Sequence, residues 1–129
     1  MALILVVDDD AAVRDSIQTL LTLDGHDVVE ARDGREGEEA IQRRVPDLVI
    51  LDIFMPERDG FETLRSLRRT HPGLKILAIS GSAGGQMERT LAYAREFGAN
   101  AALDKPFPAD ALRGAVRELL TPGARKASF

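Results

Sequence analysis

At 129 residues with 44% hydrophobic and 29% charged side chains, the chain holds one folded domain and is neither a disordered tail nor a membrane protein. No apolar run approaches the ~20 residues that span a bilayer, and Met1–Val7 meets Asp8 with no basic flank, so no signal peptide and no membrane insertion are expected. The absence of cysteine excludes disulfides, thiolate metal ligands and a cysteine nucleophile and suits a cytoplasmic protein, while a net charge of −4 argues against nucleic acid as a direct partner.

The chain alternates strand and helix patterns from end to end. Leu3–Val7 is a continuous apolar run, the mark of a parallel strand buried on both faces. Val13, Ile17, Leu20 and Leu21 then share one helical face, and Gly25 is placed to end that helix. A short strand over Asp27–Ala31 follows, and Asp33 with Glu36 forms a capped start for a helix running to about Arg44. Leu48–Leu51 is a second apolar strand left at Asp52. Asp59 with Glu62 repeats the cap signal before a helix whose stripe is Phe61, Leu64 and Leu67. Lys75–Ile79 is another strand, and the small-residue loop 81–85 leads to a helix carrying Met87, Leu91 and Ala94. Asn100–Asp104 reads as a weak, alanine-rich strand, and Pro108 suits the first position of a last helix bearing Leu112, Val116 and Leu119. Five strands alternating with five helices predict right-handed crossovers and a doubly wound α/β fold, a parallel sheet covered on both sides. Residues 1–120 should form the domain and 121–129 a frayed tail.

In such a fold ligands bind outside the carboxyl ends of the strands, near the point where strand order reverses. Asp8, Asp9 and Asp10 follow the first strand, Asp52 the third, Ser80 the fourth, and Lys105 with Pro106 the fifth, so all fall on one sheet edge. Lys75, Lys105 and Lys126 are the only lysines in an arginine-rich chain. A compact ammonium at the sheet edge does work that a planar guanidinium would not. Clustered carboxylates repel unless a cation joins them. Hard oxygens with no nearby histidine suit Mg²⁺. A carboxylate beside that ion can accept a phosphoryl group, its equatorial oxygens neutralised by the metal, Lys105 and the Ser80 hydroxyl. Each residue also has a plainer reading taken alone. Asp8–Asp10 could cap a helix, Asp52 could shape a turn, Ser80 could end a strand and Lys105 could sit in solvent. His26 and His71 read as solvated loop residues, and Tyr93 and Phe107 as packing.

Val6-Val7-Asp8-Asp9, Leu51-Asp52-Ile53-Phe54-Met55-Pro56 with Gly60, Ile79-Ser80-Gly81 and Lys105-Pro106-Phe107 resemble, in this order, the receiver domain of bacterial two-component response regulators. The resemblance spans roughly residues 2–120. It implies a flavodoxin-like sheet of strand order 2-1-3-4-5, with Asp52 as phosphoacceptor, Ser80 as the switch hydroxyl and Lys105 as the cation pairing with the phosphoryl group. Asp9 and Asp52 would ligate Mg²⁺ (Mn²⁺ can substitute), Asp8 more through water, with the Phe54 backbone carbonyl completing the set. It further implies a cis Lys105–Pro106 bond and, as partners, a histidine kinase or histidine phosphotransfer protein and a downstream protein. It implies a phosphoacceptor signalling protein and not an enzyme, and the chain's length adds the expectation of a stand-alone switch.

Two positions depart from the family pattern. Ala102 replaces the usual switch aromatic, so signalling would run through backbone and loop shifts. Phe54 stands where many relatives are polar and would slow aspartyl-phosphate loss. Phe54 also weighs against an aspartate-nucleophile phosphatase, which wants a second aspartate there. A flavin module would need a hydroxyl- and glycine-rich loop after the first strand, where this chain has three aspartates. The complete acidic set weighs against a non-phosphorylated scaffold.

Overall fold

The structure, a computed structural model, describes residues 1–53, 60–81, 92 and 94–121. Its elements in chain order are β1 (Leu3–Val7), α1 (Ala11–Leu23), β2 (Asp27–Ala31), α2 (Gly34–Arg43), β3 (Leu48–Asp52), α3 (Gly60–Thr70), β4 (Lys75–Ser80), α4 (described at residues 92 and 94–96), β5 (Ala101–Asp104) and α5 (Ala109–Leu120). The five strands form one parallel sheet in the order β2-β1-β3-β4-β5, flanked by the five helices.

Every residue of β1 and β3 is buried, because these central strands are covered on both faces. Alternation along each strand then divides the core in two. Leu5, Val7, Val49, Leu51, Ile76 and Ala78 face one side, where Ile41 of α2, Leu64 and Leu67 of α3 and Ala94 of α4 close over them. Ile4, Val6, Leu48, Ile50, Leu77 and Ile79 face the other, against Ile17 and Leu21 of α1 and Leu112 and Val116 of α5. β2 is an outer strand, and its burial is correspondingly thin.

Among the described residues the local signals act as read, with two adjustments. Asp10 caps α1 by accepting from the Ala12 and Val13 N–H groups, and Asp33 caps α2 by accepting from that of Glu36. Gly25 takes φ +89° after α1, a backbone state that a Cβ would oppose. Pro108 sits at the N-cap of α5 with ψ 151°, one place earlier than its fixed φ suggested, so the helix begins at Ala109. The two histidines are half-buried rather than simply solvated. The His26 ring accepts from the Ala2 N–H through Nδ1 at 3.2 Å, and His71 Nδ1 lies 2.9 Å from the Thr70 hydroxyl.

A contact that no local signal announces lies at the end of the sheet remote from the aspartates. The Arg68 guanidinium, rising from α3, donates to the carbonyls of Gly98 at 2.7 Å, Pro72 at 2.7 Å and Leu74 at 2.6 Å, and to Asn100 Oδ1 at 3.0 Å. Asn100 Oδ1 also accepts from the Ile76 N–H. One planar cation thereby ties the C-terminal ends of α3 and α4 to the start of β4, a task that suits its fork of donors. Asp59, residues 82–91, Tyr93 and residues 122–129, on which the expectations of a cap, a loop, a helix start and a frayed tail fall, lie outside the described residues.

Candidate functional site

β1 pairs with β2 on one side and with β3 on the other, so the reversal of strand order falls between β1 and β3. Asp8 and Asp52 stand at the carboxyl ends of these two strands, both essentially inaccessible to solvent at 0% and 2% exposure. Lys105 arrives from beyond β5 and donates to both, at 2.8 Å to Asp8 Oδ2 and 3.3 Å to Asp52 Oδ2. The peptide bond that leaves it, Lys105–Pro106, is cis. Ser80, also buried, closes β4 beside them, and its carbonyl accepts from the Lys105 N–H at 2.6 Å.

Burial alone would lower the pKa of the Lys105 ammonium. The hydrogen bond to Asp8 and the charges of Asp52 and Asp8 outweigh that and hold it above the ordinary lysine value. Lys105 is therefore a fixed positive charge, which two buried carboxylates require.

Asp8 is gripped from several sides. Its Oδ1 accepts from the Asp10 N–H at 2.9 Å, its N–H donates to Ala31 of β2 at 3.1 Å, and its carbonyl accepts from Arg14 of α1 at 2.7 Å. Asp9, one residue on, is exposed. Asp8, Asp9 and Asp52 each offer a carboxylate oxygen, and these oxygens lie within 4.8 Å of one another. Opposite oxygens around Mg²⁺ stand ~4.2 Å apart at its usual ~2.1 Å bond length, close to this spacing. The charge fits as well. Three carboxylates against one ammonium leave two negative charges, which one divalent cation cancels. The residues present thus suit Mg²⁺ or Mn²⁺ by ligand type, spacing and charge. Phe54, the expected carbonyl ligand, lies outside the described residues.

α3 closes directly over β3. A Cβ on Gly60 would lie 2.3 Å from Ile53 Cα and 2.5 Å from the Asp52 carbonyl oxygen, so only glycine permits this approach. Ala102 packs against the cluster formed with α2, α3 and α4, and Phe61 and Phe97 stack edge-on there with centroids 5.3 Å apart.

The sequence therefore located Asp8, Asp9, Asp52, Ser80 and Lys105 on one edge, and the fold brings them together. It did not single out Arg14. The available signal was a basic side chain one turn into a helix capped by Asp10, which identifies no partner 6 residues back in the chain.

Comparison with known proteins agrees with this geometry. The response regulator receiver domain model matches residues 4–117, and the chain belongs to that family. It is 42% identical over 117 residues to response regulator MprA of Mycolicibacterium vanbaalenii, covering 91% of this chain and 49% of that protein. The MprA of Mycobacterium leprae is 40% identical over the same length. The chain spans about half the length of these curated relatives. Among solved structures, the receiver domain of NtrX from Brucella abortus superposes with a TM-score of 0.84 at 37% identity, covering 91% of this chain and 97% of that one. A CheY-like receiver domain protein from Methanospirillum hungatei gives 0.85 at 28% identity, covering 100% and 99%.

Proposed function

We propose that this receiver domain accepts a phosphoryl group on Asp52 from a histidine kinase or histidine phosphotransfer protein, in a reaction that depends on Mg²⁺, and that the phosphorylated form is read by a downstream protein. The observation that carries the reading is the Lys105 ammonium bridging the buried carboxylates of Asp8 and Asp52, at 2.8 and 3.3 Å, beside the buried Ser80.

The chemistry follows from these side chains. An Asp52 carboxylate oxygen attacks phosphorus, the new O–P bond forms as the donor's P–N or P–O bond breaks, and the bond's electron pair leaves with the donor. Lys105 sits within reach of the oxygen that attacks and offers its charge to the equatorial phosphoryl oxygens, which gather negative charge in the transition state. The Ser80 hydroxyl is the neutral donor for another of them. Asp8 and Asp9, with Asp52, would hold Mg²⁺, which when bound neutralises phosphoryl charge as a Lewis acid. Asp8 also balances the ammonium when the site is at rest. The covalent step changes the charge that Lys105 and Ser80 face, which is the differential interaction needed to shift a two-state element. Among the described residues no helix is long and apolar enough to cross a membrane, and a cytoplasmic location accords with the cysteine-free composition.

The test is incubation with acetyl phosphate or beryllofluoride, with and without Mg²⁺, read by intact mass and by amide chemical shifts. A single adduct that needs Mg²⁺ and vanishes in Asp52→Asn is expected. No adduct in the presence of Mg²⁺, or an adduct that survives Asp52→Asn, refutes the reading.

A further inference from the structure

The carbonyl of Asp8 lies one residue beyond the last β1 pairings, Val7 with Ala31 and Val7 with Leu51. It is past the sheet and still short of α1, whose N-cap is Asp10. That carbonyl belongs to the peptide group joining Asp8 to Asp9. Its direction sets the plane of the peptide and hence where the Asp9 side chain departs. Arg14 Nη1 donates to it at 2.7 Å, and the same guanidinium is held from its other side by Glu30 of β2, with Nε 3.2 Å from Oε1. The Arg14 side chain is 14% exposed, against 39% for Glu30, so the guanidinium is largely fixed between the two contacts.

We infer that Arg14 is a positioning residue for divalent-cation binding, orienting the Asp8–Asp9 peptide so that both carboxylates converge on one ion. The inference rests on the metal reading above and adds a residue that touches no metal ligand's carboxylate. It also makes Glu30, on the outer strand, part of the same support, since Glu30 fixes the guanidinium that fixes the peptide. Residues that hold the ligands of a metal commonly matter nearly as much as the ligands themselves.

Charge and geometry predict opposite signs here, and this makes the inference testable. Removing a positive charge near three carboxylates should by electrostatics alone tighten cation binding. Losing the orientation of the peptide should weaken it. Mg²⁺ is titrated by isothermal calorimetry into the full chain as wild type, Arg14→Ala, Arg14→Lys and Glu30→Gln, with urea unfolding of each. Arg14→Ala is expected to raise the Mg²⁺ Kd about ten-fold. Arg14→Lys should not restore it, because one ammonium lacks the fork that serves carbonyl and carboxylate together. Glu30→Gln should give a smaller loss in the same direction, and Arg14→Lys, which keeps the positive charge and loses only the fork, provides the readout if Arg14→Ala does not fold. Metal-free spectra supply a second measure, in which the Asp9 and Asp10 amide signals shift in Arg14→Ala.

An unchanged or lower Kd in Arg14→Ala overturns the inference, as does a drop in the urea midpoint with Kd unaltered, which would make the contact structural only. Those results leave the phosphoacceptor reading intact. Wild type that binds no Mg²⁺ removes both.

Discussion

Gly60→Ala and Gly114→Ala are the same chemical change with opposite expected outcomes. At Gly60 the added methyl would stand 2.3 Å from Ile53 Cα, 2.5 Å from the Asp52 oxygen and 2.7 Å from the Ile53 carbonyl carbon, all backbone atoms that cannot rotate away. Relief to an ordinary contact of 3.4 Å moves α3 off β3 by about 1.1 Å. Overpacking of this kind costs about 1–3 kcal/mol, and a backbone neighbour puts Gly60→Ala near about 3. Gly114, on the exposed side of α5, has nothing within 4 Å of the same methyl. There alanine removes the helix penalty of glycine, a gain of about 0.5–1 kcal/mol. With a urea m-value of about 2 kcal/mol per molar, the Gly60→Ala midpoint falls by about 1.5 M and the Gly114→Ala midpoint rises by about 0.3–0.5 M. Urea unfolding followed by circular dichroism measures both. Since the displaced atoms include the Asp52 carbonyl, Gly60→Ala should also slow adduct formation from acetyl phosphate, while Gly114→Ala should not. A Gly60→Ala variant within about 0.5 kcal/mol of wild type would falsify the close-approach reasoning.

Three further predictions concern charge. Lys105→Ala should bind Mg²⁺ at least as tightly as wild type, because the ammonium on Asp8 and Asp52 is gone, yet form the Asp52 adduct about 10²-fold more slowly; parallel loss of both would show that Lys105 only holds the site together. Arg68→Ala should lower stability by about 2–4 kcal/mol, from charge-assisted hydrogen bonds to mostly part-buried carbonyls, and Arg68→Lys should recover less than half in urea unfolding, since an ammonium lacks the planar fork. The Arg113 hydrogen bond holds the Asp24 carboxyl below its ordinary value of 3.8, outweighing desolvation. A carboxyl lowered on folding stabilises above its unfolded pKa and loses that contribution as pH falls through the folded one. Stability of wild type and Asp24→Asn should therefore differ at neutral pH and converge below about pH 3; a difference that stays constant or widens on acidification would contradict this.

What could be read in advance was local. Val6–Asp9 announces a buried strand ending in acid, and Asp10, Gly25 and Asp33 mark helix ends through contacts spanning only a few residues. Such features need only period and side-chain chemistry, which is why the strands, and with them Asp8, Asp9, Asp52, Ser80 and Lys105, stand where the pattern puts them. Pro108 was one place off, because a fixed φ near −66° serves an N-cap as well as a first helical turn, and ψ decides between them. Arg68 and Arg14 were invisible for a different reason. Each acts on main-chain atoms, whose positions no sequence pattern reports, and Arg68 reaches carbonyls 30 residues away in the chain. In a chain with many arginines on its surface, composition gives no means of separating these two from the rest. Ala102 shows the converse. Its departure from the family pattern was legible, and its packing against the core on the α2, α3 and α4 side emerged only from the fold.

The 2.6 Å hydrogen bond from the Lys105 N–H to the Ser80 carbonyl joins two residues whose side chains would contact the same phosphoryl group. It is a main-chain rivet between the ends of β4 and β5, so a shift of the Ser80 backbone drags the root of the lysine with it. Hydroxyl and ammonium then respond as one body rather than as two independent sensors. Weakening either contact to the phosphoryl group would lengthen the other, and double substitution at Ser80 and Lys105 would cost less than the two single losses added together.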